Sequence, residues 1–392
     1  MQEVQNITFA LLRYALCGTE IPDKVSDALT EERLKGVYQL LKMHDLAHLA
    51  FDGLQSAAQK IGQTERGAEL VNTEVYGMFR RQQQLAVYRY EQKIYEFEQI
   101  CNVLEEACIP YVPLKGAVLK DLYPQPWMRT SCDIDILVHE QDVSKAVEKI
   151  VNRLHYEKQK RVYHEVSLLA ENGVHLELHF SLRENNKKLD PVLDRAWEYA
   201  ARVEDKQEYL LTNEYFMYHH LAHATHHVLN GGCGIRPVAD IWLLKQKMQY
   251  DDAAVEILCE EAGILTLKRT IMDLAEVWFS DKQPTGTVKS LAEYIIGGGV
   301  YGTTQNRLIM QQVRTKRSLR YVLSRMFLSY DQLKMHYTVL EKHKWLYPFC
   351  QVGRWIKTVF KRKTKQEQNA LKNNNTKTKK KEYLELLQDL GL

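Results

Sequence analysis

Two aspartates, Asp133 and Asp135, stand one residue apart in 132-CDIDILV-138, a run that otherwise reads as a buried strand. Strand side chains alternate faces, so both carboxylates project to one side while Ile134 and Ile136 project to the other. Like charges that close repel, and a cation between them keeps both ionised. Such a donor pair suits Mg²⁺, which takes one or two carboxylates and completes its shell with water and substrate phosphates. An Asp-x-Asp tripeptide alone is common and most often marks a solvated strand edge. The residues upstream change that reading. Lys115-Gly116 follows the apolar run 109-IPYVPL-114 and precedes a helical 117-AVLKDLY-123. A glycine there lets backbone approach a phosphate, and a helix start offers free N–H groups and a positive dipole. Lys115 adds a mobile positive charge, Arg129 lies four residues before Asp133, and Thr130 and Ser131 bring hydroxyl donors. Lys115, Gly116, Arg129 and Ser131 are therefore candidate phosphate contacts beside a metal-binding strand.

The elements that must hold these residues follow from periodicity. Residues 1–100 read as helices, with apolar residues at helical spacing in 5-QNITFALLRYAL-16, 33-RLKGVYQLLKMHDLAHLAFDGL-54 and a long 70–107 segment that could bridge two domains. Residues 101–190 read as the α/β unit. There 132–138 is a strand, 142–155 an amphipathic helix with Asp142 at its N-cap, and 161–170 and 174–182 a hairpin closed by 171-ENG-173. Residues 191–360 return to helical patterning, and 361–392 form a Lys/Asn/Thr-rich basic tail that reads as disordered. The fold class is α+β, a small mixed sheet flanked by N-terminal and C-terminal helical domains.

Composition narrows the function. The 392 residues carry a net charge of +3, which gives no strong nucleic-acid signal, and 45% apolar residues supply a sizeable core. Seven dispersed cysteines with no CxxC pair read as free thiols in a reducing compartment. The segment MQEVQNITFALLRYALCG is too acidic and polar for a secretory leader, and no stretch has the apolar length of a transmembrane span. The cytoplasm is the expected location.

The stretch 114-LKGAVLKDLYPQPWMRTSCDIDILV-138 resembles the signature of the nucleotidyltransferase superfamily that includes DNA polymerase beta. It is more closely similar to a group of bacterial proteins described as uncharacterised nucleotidyltransferases, whose pattern runs LKG, LYP, an Arg, then DIDLLV. The resemblance covers residues 109–182 well and the helical flanks more loosely. Lys115-Gly116 stands where the superfamily usually has Gly-Gly or Gly-Ser. The resemblance implies a third carboxylate on a later strand. In 174-VHLELHF-180, His175, Glu177 and His179 share the polar face, which makes Glu177 the choice; Glu165, placed nearly opposite His179 by the hairpin, is the rival. It also implies transfer of an NMP group from an NTP such as ATP to an acceptor. Asp133, Asp135 and Glu177 would hold two Mg²⁺ ions, with Mn²⁺ as a substitute, while Lys115 and Arg129 neutralise the phosphates. The acceptor, a small molecule or a protein side chain, is not encoded in any motif. The alternative is a nucleotide-binding or regulatory protein that keeps the fold without catalysis, and a nucleic-acid enzyme is a third reading.

Five histidines in 218-YHHLAHATHHVLN-230, from His219 to His227, line helix faces at i, i+4 and i+7 spacing. Metal binding there competes with the plainer expectation of a helix packed against the catalytic unit. Arg236 and Asp240, also i, i+4, are expected to pair with each other. The basic end, including 349-FCQVGRWIKTVFKR-362, reads as a solvated tail and a helix with a basic rim.

Overall fold

Helical periodicity at the N-terminus becomes α1 (Gln2–Cys17), α2 (Asp23–Asp27), α3 (Glu31–Met43) and α4 (Ala50–Ile61). The computed structural model describes residues 2–61, 65–161, 164–300, 302–314, 327–330, 333, 337–341, 343–359 and 376–392. The long helical segment divides into α5 (Glu65–Val71) and the 33-residue α6 (Glu74–Glu106). The Thr73 side chain accepts from the Tyr76 N–H and sets the start of α6.

The next elements are β1 (Tyr111–Pro113), α7 (Gly116–Leu119), β2 (Asp133–Val138), α8 (Val143–Leu154), β3 (Glu157–Arg161), β4 (Glu165–Leu169) and β5 (His175–His179). They form a mixed five-stranded sheet in the order β1-β2-β5-β4-β3. β2 and β5 run parallel, with Asp133 opposite His175, Asp135 opposite Glu177 and Leu137 opposite His179. β4 and β5 are the expected hairpin, and Glu165 lies opposite His179. The sheet with its helical surroundings is an α+β fold, as the sequence implies.

Several local expectations change. The helix after Lys115-Gly116 is a single α-turn followed by a 3-10 turn at Lys120–Leu122, ended by Pro124 and Pro126. Asp142 occupies the N-cap of α8, but its side chain makes no capping hydrogen bond. β3, with the sequence EKQKR, lacks apolar alternation because it is the sheet's outer strand, where charges oppose edge-to-edge pairing. Residues 190–200 form α9 (Asp190–Leu193), a 3-10 turn and the start of β6 (Ala200–Arg202) rather than one helix. β6 pairs with β7 (Tyr209–Leu211) and this hairpin meets the free edge of β1, where Tyr111 N–H donates to Gln207 O.

The helices after the hairpin are α10 (Asn213–Leu229), α11 (Arg236–Lys247), α12 (Asp252–Glu261), α13 (Leu265–Phe279), α14 (Gly286–Gly298) and α15 (Thr304–Arg314), followed by Tyr347–Val359 and Thr376–Asp389. The last is a difference from the expected tail: Tyr383, Leu386, Leu387 and Leu390 are buried. The low-complexity stretch 361–375 lies outside the described residues.

Two apolar cores result. One lies behind the sheet, where Ile134, Ile136, Val138, Leu176 and Leu178 meet Ile100, Val103 and Leu104 of α6 and Val143, Ala146 and Ile150 of α8. The other joins N-terminal and C-terminal helices and reaches Val112, Leu114 and Leu137 on the sheet's front. The flanking helical regions thus share one core; Arg13 of α1 donates to the carbonyls of Val277 and Trp278 in α13. The N-terminal half of α6 lies in this core and its C-terminal half in the other, which is the bridging its length suggested. The polar face of the sheet is caught between the two.

Candidate active site

Register builds the site. Because β2 and β5 are parallel, Asp135 and Glu177 are cross-strand neighbours on one face, and the Glu165–His179 pair continues that face onto β4. The opposite face is wholly apolar, so a one-residue slip would bury the carboxylates in the core.

Asp135 is almost fully buried, and its charge is met from two sides. Lys115 Nζ donates to Oδ1 at 2.9 Å, and His179 Nε2 lies 2.9 Å from the same oxygen. Burial would raise the Asp135 carboxyl, but Lys115 and His179 outweigh it and hold the group well below the usual carboxylate range. For Lys115, burial would lower the ammonium; the Asp135, Asp133 and Glu177 charges reverse this and raise it. His179 also has Nδ1 3.5 Å from Glu165 and Nε2 3.6 Å from Glu177. It therefore sits amid three carboxylates. Sequence reading placed His179 on the right face but gave it no role.

Of the remaining acids, Asp133 and Glu177 are not held down in this way. Burial raises Asp133, and the neighbouring Asp135 charge adds to it. Burial and the charges of Asp133, Asp135 and Glu165 push Glu177 up to about 8. For Glu165, burial is overcome by His164 and His179, and its carboxyl is lowered. Ligand atoms of Asp135, Glu177 and His179 lie within 4.8 Å of one another, as do those of His164, Glu165 and His179. Asp133 belongs to neither group. It faces Lys93, a residue of α6 that carries no sequence signal for this role. Burial lowers the Lys93 ammonium to about 8, with Asp133 opposing, and Lys93 donates to Ser131 Oγ at 3.0 Å.

The turn after β1 carries an unusual backbone conformation. The left-handed backbone falls on Lys115 (φ 41°, ψ −110°), not on Gly116. Such a conformation costs on the order of 1–3 kcal/mol at a non-glycine residue. Gly116 contributes space instead, since a Cβ there would stand 3.3 Å from Ser131 Oγ. The Leu114 N–H donates to Asp135 O and ties the turn to β2.

Arg129 is held by a carboxylate from α11. Its Nε and Nη2 donate to the two oxygens of Asp240 at 2.7 and 2.9 Å, Nη1 donates to Thr130 O, and Tyr123 Oη donates to Asp240 at 2.7 Å. Asp240 is thus taken by Arg129 rather than by Arg236, correcting the expected i, i+4 pair. The reason is tertiary packing, for Arg236 pairs with Asp45 across the fold. Met128 O, beside Arg129, bonds the buried His48 at 2.9 Å, so helices fix this loop from two directions.

A cavity of about 420 Å³ opens beside Asp133's strand, lined among others by Arg89, Tyr90, Lys93, Trp127, Arg129 and Ser131. Cations and hydroxyls suit a phosphate chain there, and aromatic rings suit a base. Gly116, Lys93, Arg129, Ser131 and Asp133 also line a smaller cavity that adjoins it.

No described helix is long and apolar enough to cross a membrane. Comparison with curated proteins and with solved structures gives no match. The family described as uncharacterised nucleotidyltransferase matches residues 30–280, more than half the chain, from α3 through α13 with the whole sheet. The chain belongs to the uncharacterised nucleotidyltransferase family.

Proposed function

We propose that the protein transfers an NMP group from an NTP, ATP among the candidates, to a small-molecule or protein acceptor, with release of pyrophosphate. The observation that carries this reading is the alignment of Asp133, Asp135 and Glu177 on adjoining parallel strands beside a cationic cavity. Oxygen donors that burial and then mutual repulsion raise, at Asp133 and Glu177, fit a divalent cation, Mg²⁺ or Mn²⁺, placed among them. When bound, two such ions would neutralise charge at the transferring phosphate and at the departing pyrophosphate.

The chain's own residues do the rest. Lys93, Ser131 and the turn at Lys115-Gly116 line the place for the phosphates, and Tyr90 and Trp127 offer rings to the base. The acceptor hydroxyl attacks the α-phosphorus, the bond to the β-phosphate oxygen breaks, and pyrophosphate leaves with that electron pair. The acceptor proton passes to a carboxylate, for which Glu177 is suited once ionised. Arg129 acts as a positioning residue, holding the loop before Asp133 through Asp240.

A second reading has one specific support. Lys115 already pairs with Asp135, and His179 lies within hydrogen-bond distance of it, as they would in a nucleotide-binding protein that performs no transfer. Incubation with each labelled NTP and Mg²⁺ or Mn²⁺ separates the two, read as label incorporation and pyrophosphate release, with Asp133→Asn as control. Transfer by the parent that the control lacks supports the enzyme. Nucleotide binding with no pyrophosphate supports the second reading, and an Asp135→Asn protein as active as the parent rules out the carboxylate site.

A further inference from the structure

The histidine-rich face of α10 is used by none of the steps above, yet its side chains are arranged around one another. His223 and His227, one turn apart, bring their Nε2 atoms to 3.0 Å with the rings nearly perpendicular. His223 Nδ1 lies 2.9 Å from Glu184 Oε1, and His226 Nδ1 lies 3.0 Å from Glu184 Oε2. The carboxylate thus engages Nδ1 of His223 and leaves its Nε2 lone pair turned toward His227. A carboxylate on the far nitrogen is the usual support of a metal-ligating histidine, because it fixes the ring and raises its basicity. A further turn back on the same stripe, the buried Nδ1 of His219 has no hydrogen-bond partner.

We propose that His223 Nε2 and His227 Nε2 bind a transition-metal ion of the Zn²⁺ class, with Glu184 orienting His223 from behind. At a metal–nitrogen length of about 2.0–2.1 Å, a 3.0 Å separation subtends roughly 95° at the ion, and opening it to about 3.4 Å gives the tetrahedral angle. Imidazole donors select Zn²⁺, Co²⁺, Ni²⁺ or Cu²⁺ over Mg²⁺, so this site and the carboxylate site differ in the ion they take. Two protein donors leave coordination positions open for water or for a donor atom of a bound ligand. A polar cavity of about 220 Å³ is lined by Glu184 and His226, on the carboxylate side of His223.

The test uses the full chain freed of metal by chelator dialysis and titrated with Zn²⁺, and with Co²⁺ as the spectroscopic probe. One Co²⁺ with visible d–d absorption, displaced by Zn²⁺ and untouched by excess Mg²⁺, is expected in the parent. It should persist in Asp133→Asn/Glu177→Gln, which separates it from the carboxylate site. Glu184→Gln should weaken binding about 10–100-fold. His227→Gln, a change at a half-buried position, should abolish the band while circular dichroism stays that of the parent. A parent that takes up no Co²⁺ or Zn²⁺, or a band retained in His223→Gln/His227→Gln, overturns the proposal.

Discussion

Lys115 donates to Asp135 at 2.9 Å from a left-handed backbone conformation that lysine rarely adopts. The fold thus retains a costly geometry to keep an ammonium against the buried carboxylate of β2. Lys115→Met removes that charge and leaves Asp135 with His179 alone. Transfer should fall about 10²–10³-fold, the scale of losing one charge-stabilising donor. The metal-free protein should unfold at lower temperature, and Mg²⁺ should raise its midpoint more than it raises the parent's. An equal Mg²⁺ shift in both proteins would contradict a shared position for ammonium and ion.

Metal binding through Glu177 should be pH-dependent. Folded, it keeps its proton up to about 8, against an ordinary value of 4.5. Between these values the folded chain binds more protons than the unfolded one, so stability without metal declines as pH rises from 4.5 through 8. Metal binding needs the ionised carboxylate, so apparent Mn²⁺ affinity should fall about tenfold per unit below pH 8. Glu177→Gln should flatten both dependences. Thermal unfolding and Mn²⁺ titration at pH values on either side of about 8 measure them.

The two candidate third carboxylates differ in consequence. Glu177→Gln should lower pyrophosphate release about 10²–10⁴-fold, the range for a lost proton acceptor. Glu165→Gln acts through His179, 3.5 Å away, and should lower it roughly tenfold. Single-turnover rates on both proteins decide between them, and the reverse order would exchange their roles.

The Arg129–Asp240 pair is buried on both sides, so removing one partner strands a charge. Asp240→Ala should cost about 3–5 kcal/mol in urea unfolding. Arg129→Met/Asp240→Leu should cost less than either single truncation. Additive losses would mean that the two residues do not act as a unit.

Much of the site was legible because it is local. Alternation in 132-CDIDILV-138 and 174-VHLELHF-180 gave the polar face, and the short hairpin put Glu165 opposite His179. The α+β class followed from a brief strand-rich segment between long helical ones. What escaped the sequence depends on distance along the chain. Nothing near Arg129 points to Asp240, 111 residues away, and Lys93 on α6 reaches the site only because α6 crosses from one core to the other. The positive φ went unforeseen because Gly116, beside Lys115, is the residue that ordinarily adopts it. Charged β3 gave no strand signal, since an outer strand need not alternate.

The shared ownership of β1 and of Arg129 has a consequence for taking the chain apart. A fragment ending near residue 190 would contain every carboxylate of the candidate site, and yet it would expose the edge of β1 that the β6–β7 hairpin covers. It would also leave the Arg129 guanidinium without its counter-ion and strip Leu137 and Val112 of their helical cover. The sheet is therefore not a portable cassette. Swapping acceptor specificity between relatives would require moving the helices and the sheet together.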